Sequence, residues 1–195
     1  MRRIQLPLTV ILSSLLITTG CSTMPGSTEQ SQLNEFEKLI EHTLVELYAK
    51  NSDIEKQADN AIGYIVLTGT VTKVPVFGAG SGYGVAVDNV TGEKTYLKTR
   101  RVDIGAGWGI RSSRTVIFFS DASKFEEFRR GKWIFNLGAE ATAKVGDVGG
   151  NGSTDGSGIL ASKGYKQYLI LDSGLSVTFT STLTSISPFE LVEQK

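Results

Sequence analysis

The chain has 195 residues, of which 40% are hydrophobic and 21% charged, as in a folded domain and unlike a disordered or collagen-like polymer. Its 20 basic and 20 acidic side chains cancel at pH 7, so the overall charge gives no support to nucleic acid as a partner. One Cys and one His exclude a disulfide framework, a Cys/His zinc site and a Cys/His catalytic pair. Composition therefore predicts one domain with no metal and no cofactor, and it does not reveal an activity.

The first twenty residues have the pattern of a secretory signal. Arg2 and Arg3 precede an apolar run from Leu8 to Ile17. Ten helical residues rise about 15 Å, roughly half of a bilayer's hydrocarbon core, so this run is too short to be a spanning helix. We expect residues 1–20 to be a signal peptide that is removed from the mature protein.

The only Cys follows this run directly. The segment Thr18-Thr19-Gly20-Cys21 resembles the lipobox of bacterial lipoproteins, in which the Cys is acylated and becomes the new N-terminus. The resemblance implies that palmitate and related acyl chains on Cys21 anchor the protein in a membrane, and Ser22 implies sorting to the outer membrane, facing the periplasm. Each buried CH2 contributes about 0.8 kcal/mol, so two or three acyl chains would hold the protein there essentially permanently.

A helical region follows the anchor. Residues 21–32 are small and polar, which predicts a flexible tether. Ser52, with Glu55 three residues later, has the spacing of a capping box and predicts a second helix that ends near Ala61. The polar side of the first helix is acidic and not rich in lysine and arginine, so we expect the helix to pack on the core and not on a membrane. Its apolar residues recur at spacings of three and four: Leu33, Phe36, Ile40, Leu44, Leu47 and Tyr48.

From residue 62 onward the pattern is that of β-strands. Hairpins are predicted around residues 88–92 and 172–174, with a further turn at 111–114, and Asp121 and Gly131 bracket a short helix. The predicted fold is α+β, with N-terminal helices packed on a glycine-rich, mainly antiparallel sheet that is sandwich or barrel-like. We expect one domain over residues 33–195, helical over 33–61 and mainly β over 62–195. Within it, residues 146–158 are predicted to be a mobile loop.

Glycines are unusually frequent and regularly spaced. After residue 20 there are 21 among 175 residues, about 12% against a usual value of roughly 7%. Positions two apart on a strand face the same way, so each series leaves one strand face without side chains. Such a face serves either tight sheet packing, which we favour, or a groove for a ligand. The two series are Gly78, Gly80, Gly82, Gly84 and Gly105, Gly107, Gly109.

Several motifs follow one another along the chain: Ala61–Leu67, Val71–Lys73, both glycine series, Phe118–Asp121 with Phe128, Gly131 and Trp133, and the glycine-rich stretch after Lys144. Their order resembles the SYLF domain. This family includes bacterial envelope lipoproteins and lipid-binding modules of eukaryotic actin-patch proteins, and the likeness covers about residues 35–185. The resemblance implies binding of anionic lipid or another membrane-adjacent ligand, without catalysis.

One local charge cluster stands out in the neutral chain. Between residues 94 and 114 there are six basic residues and a single acid, Asp103. Such runs are usually solvated surface charges, but Arg guanidinium groups also suit phosphate oxygens, and a turn at 111–114 would bring the arginines to one end of the sheet. The candidate lipid-phosphate residues are Lys94, Lys98, Arg100, Arg101, Arg111 and Arg114.

These observations predict a periplasmic lipoprotein that is not an enzyme. The chain has none of the common hydrolase motifs, and its single His42 lies in the acidic helix. The first prediction for its function is binding of anionic lipid or a related envelope component. An envelope scaffold or protein-interaction module is the second, and a hydrolase with paired carboxylates is the third, because two acids brought together by a fold leave no spacing signature.

Overall fold

A computed structural model describes residues 26–50, 53–145, 148–153 and 164–191. The predicted signal peptide, Cys21 and Ser52 lie outside these ranges. None of the helices described is long and apolar enough to cross a membrane. The helices are α1 (Glu29–Lys50), α2 (Asp53–Asp59) and α3 (Ala122–Arg130); the strands are β1 (Gly63–Lys73), β2 (Phe77–Asp88), β3 (Lys94–Phe119), β4 (Lys132–Val145), β5 (Val148–Ser153) and β6 (Tyr165–Pro188).

The strands form one antiparallel sheet in the order β1-β2-β3-β6-β4-β5. Its centre is a long ribbon of β3, with 26 residues, and β6, with 24. The first half of β3 pairs with β2 and the second half with β1, while β1 and β2 also pair with each other. Over the described residues β5 pairs only with β4, so the sheet does not close. The predicted α+β class with a mainly antiparallel sheet is confirmed.

Alternate residues of β3 define the two faces of the sheet. Val116 and Phe118 pack with apolar residues of α1 and α2, and we call this side the α1 face. Ile117 and Phe119 pack with Phe125 and Phe128 of α3, and we call that side the α3 face. Asp121 caps α3 as predicted, and its side chain accepts hydrogen bonds from the backbone N–H groups of the first turn.

Three segments differ in secondary structure from the prediction. The tether prediction is wrong for residues 29–32, because α1 begins at Glu29 and already buries Gln32. Residues 111–114 form no turn, since β3 runs through them without interruption. The loop prediction for 146–158 is wrong for Val148–Ser153, which form β5, while the rest of that stretch lies outside the described residues.

The second predicted hairpin is also wrong. Residues 172–174 lie within β6, which continues to Pro188. Ser112 pairs with Ser173 and Ser113 with Leu171, so Asp172 is an extra residue on β6, a β-bulge. Asp-Ser-Gly has the composition of a turn, but continuous pairing with β3 overrides that local preference.

The glycine series on β2 serves tight packing, the first of the two alternatives. A β-carbon built on Gly80 would lie 2.7 Å from the carbonyl oxygen of Thr70. On Gly82 and Gly84 it would come closer still to the carbonyl oxygens of Thr68 and Val66. The α3-face side of β2 therefore has no room for side chains where it meets β1.

The second glycine series lies where β3 passes from β2 to β1. The backbone N–H of Gly105 donates to the carbonyl oxygen of Val76 (N···O 2.9 Å) and that of Gly107 to the carbonyl oxygen of Pro75 (3.1 Å). The turn between β1 and β2 is thereby fastened to the middle of β3. Gly105 has a φ of 135°, which residues with a side chain rarely adopt.

Candidate functional site

The structure separates the six candidate basic residues because strand alternation sends them to both faces of the sheet. Lys98 and Arg100 lie on the α1 face of β3 and are exposed. In the part of the chain that the structure describes, neither forms a salt bridge. Lys94 is exposed on the same face, but its Nζ lies 2.6 Å from Oε1 of Glu37 on α1. Two exposed cations therefore have their charge available to a ligand.

Arg101 points to the α3 face and forms an internal ion pair. Its Nε and Nη2 donate to the two carboxylate oxygens of Asp103 at 2.7 and 3.0 Å, and Nη2 also lies 3.2 Å from Oγ1 of Thr182. Asp103 is only 2% exposed, so its charge depends on this bidentate partner. Arg101 therefore neutralises a buried carboxylate. Arg111 is also buried on this face.

Arg114 joins α1 to the β-bulge. Its Nε donates to Oδ1 of Asp172 at 2.7 Å, Nη1 donates to Oγ1 of Thr43 at 3.3 Å, and Nη2 donates to both Asp172 and Glu46. Burial disfavours the charge of Arg114, but the hydrogen bonds to Asp172 and Glu46 outweigh burial and raise its pKa. This guanidinium is a structural clamp between helix and sheet.

The expectation that a turn at 111–114 gathers the arginines at one end is therefore wrong. The strand is continuous, and its period of two places Arg101 and Arg111 opposite Lys98 and Arg100. Lys98 and Arg100 remain as the exposed pair of the predicted cluster. They lie on β3 between Tyr96, which packs against Phe36 of α1, and the exposed apolar residues that begin at Val102.

Sequence reasoning missed the surface beside this pair. Beyond Arg100 the α1 face of β3 carries exposed apolar side chains, among which Trp108 is 72% exposed and Ile104 60%. The signal was available, since apolar residues alternate with glycine or charged residues from 101 to 111, but this alternation does not show whether the apolar side faces the core or solvent. We call the following exposed residues the apolar patch: Val74, Val76, Phe77, Val102, Ile104, Trp108, Ile110 and Leu183.

The strand register brings much of this patch together. Phe77 on β2 pairs with Ile104 on β3, and Val102 pairs on its other side with Leu183 on β6. The turn that holds Val76 lies along Gly105 and Gly107 through the backbone hydrogen bonds given above. The apolar patch therefore spans three adjacent strands and one turn.

The opposite face of the same stretch is polar and buried. Besides the Arg101–Asp103 pair it holds Lys73, which is 2% exposed and whose Nζ has no hydrogen-bond partner among the described residues. Burial lowers the pKa of Lys73, and the nearby carboxylate of Asp103 opposes this only in part. Over residues 101–111 the sheet is thus polar inside and apolar outside.

Lys98 and Arg100 line neither of two cavities. One of about 280 Å³ lies between α2 and the ends of β3 and β6, lined by Ala61, Phe118, Phe119 and Tyr165, with Lys56 and Lys166 at its edge. A smaller one of about 130 Å³ on the α3 face is lined mainly by polar residues and includes Arg101. Within the described ranges, no three His, Cys, Asp or Glu side chains are placed to hold a metal ion.

The chain is similar to part of a curated bacterial protein. No protein-family model matches the chain. The chain is 30% identical over 117 residues to "Beta cell expansion factor A" of Aeromonas veronii, a match that covers 60% of this chain and 42% of that protein. The match thus spans less than half of the relative's length.

Proposed function

We propose that the protein is a lipoprotein of the bacterial outer membrane, anchored through Cys21 and facing the periplasm, that binds anionic lipid or a related envelope component without catalysis. The lipobox-like segment supports the anchor, and the resemblance to the SYLF domain supports the ligand class. The match to the Aeromonas veronii protein has no bearing on the ligand.

The observation that carries the proposal is the position of Lys98 and Arg100. Both are exposed on the α1 face, and they continue directly into the apolar patch along one strand. Phosphate headgroups beside acyl chains present the complementary arrangement, a layer of negative charge bordering an apolar layer. Each Lys or Arg near an anionic membrane contributes about 1 kcal/mol of attraction.

The non-catalytic part of the proposal rests on the carboxylates that the fold brings together. Glu46 and Asp172 both accept hydrogen bonds from Arg114, and Asp103 is held by Arg101. A general acid or base must be presented to its substrate, whereas each of these carboxylates is engaged by the guanidinium group of an arginine. These pairs are suited to structural roles.

Vesicle sedimentation tests the proposed ligand class. A protein that begins at Ser22 carries no acyl anchor and keeps every residue that the structure describes. We expect it to sediment with vesicles that contain phosphatidylglycerol and not with pure phosphatidylcholine. The double variant Lys98→Glu/Arg100→Glu should bind at least 30-fold more weakly, because two cations at about 1 kcal/mol each correspond to that factor.

The matched control is Lys56→Glu/Arg130→Glu, which makes the same change in net charge at two exposed positions on α2 and α3. It should bind like the unaltered protein. Equal loss of binding in both double variants would mean that only the net charge of the protein matters. If the unaltered protein does not sediment with anionic vesicles, the scaffold or protein-interaction function would be favoured over lipid binding.

The anchor has a separate test. Protein purified from the native host should have the mass of a chain that begins at an acylated Cys21, and Cys21→Ser should remove it from the membrane fraction or leave the signal uncleaved. The mass of an unacylated chain would contradict the anchor.

A further inference from the structure

The stretch of β3 from 101 to 111 reverses the usual distribution of polarity in a sheet with one face in water. The buried face of such a sheet is normally apolar and the exposed face polar. Here Asp103 and Arg111 are buried together with Lys73 of β1, while Ile104, Trp108 and other apolar side chains are exposed. An exposed apolar surface backed by buried charges is expected where the outside of the fold meets an apolar phase.

The patch is large for a surface in water. Six of its side chains are more than half exposed. At on the order of 100 Å² each they present about 600 Å², the upper end of what monomeric proteins expose. A patch of this size indicates a binding surface.

The charges around the patch favour an anionic layer over other occupants. The flanking segments 72–79, 94–102 and 181–188 contain no Asp or Glu. Asp103, the acid nearest the patch on β3, is turned to the opposite face and held by Arg101. Lys98 and Arg100 have long side chains that can keep their charge at the level of phosphate groups while the patch lies deeper.

The backbone of β3 within the patch is already hydrogen-bonded to neighbouring strands and to the β1–β2 turn. This favours a bilayer over an added protein strand as the ligand of the patch. β3 is flanked by β6 along the whole patch, and Gly105 and Gly107 donate to the carbonyl oxygens of the β1–β2 turn. A peptide that extends a sheet needs free backbone groups. Hydrocarbon offers no hydrogen bonds, so it accepts only a surface whose backbone is satisfied, as here.

We propose that the apolar patch inserts into the acyl-chain boundary of an anionic bilayer, with Trp108 and Ile104 below the headgroups and Lys98 and Arg100 at the phosphates. This proposal rests on the proposed function, which supplies the anionic membrane, and adds which residues enter it. The indole of Trp108 suits this depth, since tryptophan concentrates at membrane interfaces.

Fluorescence of Trp108 tests the insertion. The chain has two tryptophans, so Trp133→Phe leaves Trp108 as the single reporter. With the protein that begins at Ser22 and vesicles containing phosphatidylglycerol, we expect a blue shift of Trp108 emission, quenching by bromine on the upper acyl chain, and protection from aqueous iodide. The double variant Ile104→Ser/Trp108→Ser, compared by sedimentation at 0.1 M salt, should bind at least tenfold more weakly, because it removes apolar surface and keeps Lys98 and Arg100.

The matched control is Val90→Ser, which replaces an apolar side chain that is 80% exposed outside the patch and should change binding by less than twofold. Protein that binds anionic vesicles while Trp108 stays accessible to iodide would overturn the insertion and leave the proposed function intact. No binding of the unaltered protein would overturn both. A blue shift that depends on protein concentration without vesicles would overturn the insertion in favour of a second copy of the chain on the patch.

Discussion

Adding a methyl group at successive glycines of β2 should destabilise the protein in an order set by the space at each position. The α3-face side of β2 has no side chain at Gly78, Gly80, Gly82 or Gly84, and β1 lies against it. Gly82 is the tightest, because a β-carbon there would overlap the carbonyl oxygen of Thr68 and also lie 2.8 Å from the α-carbon of Gly69. Both obstacles are backbone atoms, so Gly82→Ala forces β1 and β2 apart.

The magnitude follows from the displacement required. Carbon–oxygen contacts lie at about 3.3 Å or more, so the strands must separate by roughly 1 Å at Gly82. Overpacking of this kind costs typically 1–3 kcal/mol, and the strand hydrogen bonds that lengthen with it put Gly82→Ala at about 3 kcal/mol or more. At Gly78 the nearest atom is Cβ of Asp103 at 3.1 Å, a side-chain atom, so the smaller clash is partly offset by the ~0.4–1 kcal/mol that alanine contributes by restricting the unfolded chain.

Urea unfolding of the four Gly→Ala variants measures this order directly. We expect the loss of unfolding free energy to be greatest at Gly82 and Gly84, smaller at Gly80 and close to zero at Gly78. A loss of about 3 kcal/mol corresponds to roughly 6–12 °C in Tm for a protein of this size. Losses below 0.5 kcal/mol at both Gly82 and Gly84 would mean that this face is open, and the ligand groove would then be the better account of the glycine series.

Three further predictions concern charged groups. Arg114→Ala should lower the unfolding free energy by about 1–3 kcal/mol, because it leaves Asp172 and Glu46 without their shared partner; the reasoning fails if Arg114→Ala and the control Arg130→Ala are equally stable. Lys73→Met should raise the free energy of unfolding by about 1–3 kcal/mol, because it removes a buried ammonium without a hydrogen-bond partner among the described residues. A variant that unfolds at a lower urea concentration than the unaltered protein would refute this. Hydrogen bonds from the backbone N–H groups of Thr91 and Val90 lower the pKa of Asp88, so the contribution of Asp88 to stability is complete above the ordinary carboxyl pKa and is lost as the pH falls through the lowered value. Asp88→Asn should therefore flatten the fall of Tm between pH 5 and pH 2, and an unchanged slope would contradict the assignment.

The helices could be predicted from sequence because their signals are local. The spacing of Phe36 and Leu47 defines the side of α1 that packs on the sheet, and both are buried. Asp121 and Gly131 fix the ends of α3. The start of α1 could not be read in the same way, because Gln32 is polar and its burial depends on the tertiary structure.

The long strands could not be predicted because their continuity is not local. Residues 111–114 and 172–174 each have the composition of a turn, yet they face each other across the ribbon of β3 and β6. Arg114 reaches the bulged Asp172 over 58 positions in sequence, a pairing that spacing along the chain does not reveal. Only the register of β3 and β6 shows that the two turn-like segments pair with each other as strands.

Only part of the candidate site could be predicted from the sequence. Lys98 and Arg100 were found as members of a charge cluster, but the cluster was treated as a segment and not as two faces of a strand. Applying the period of two would have separated Arg101 from Arg100. The exposed position of Trp108 could not be predicted, because it depends on which part of the sheet the helices cover.

The most direct measurement of the central claim is the partition of the acyl-free protein onto vesicles as a function of their phosphatidylglycerol content at 0.1 M salt. The account predicts binding that rises steeply with phosphatidylglycerol, is absent on pure phosphatidylcholine, and is weakened at least 30-fold in Lys98→Glu/Arg100→Glu but not in Lys56→Glu/Arg130→Glu. Binding that does not change with the phosphatidylglycerol content, or a Lys98→Glu/Arg100→Glu variant that binds as tightly as the unaltered protein, would contradict it.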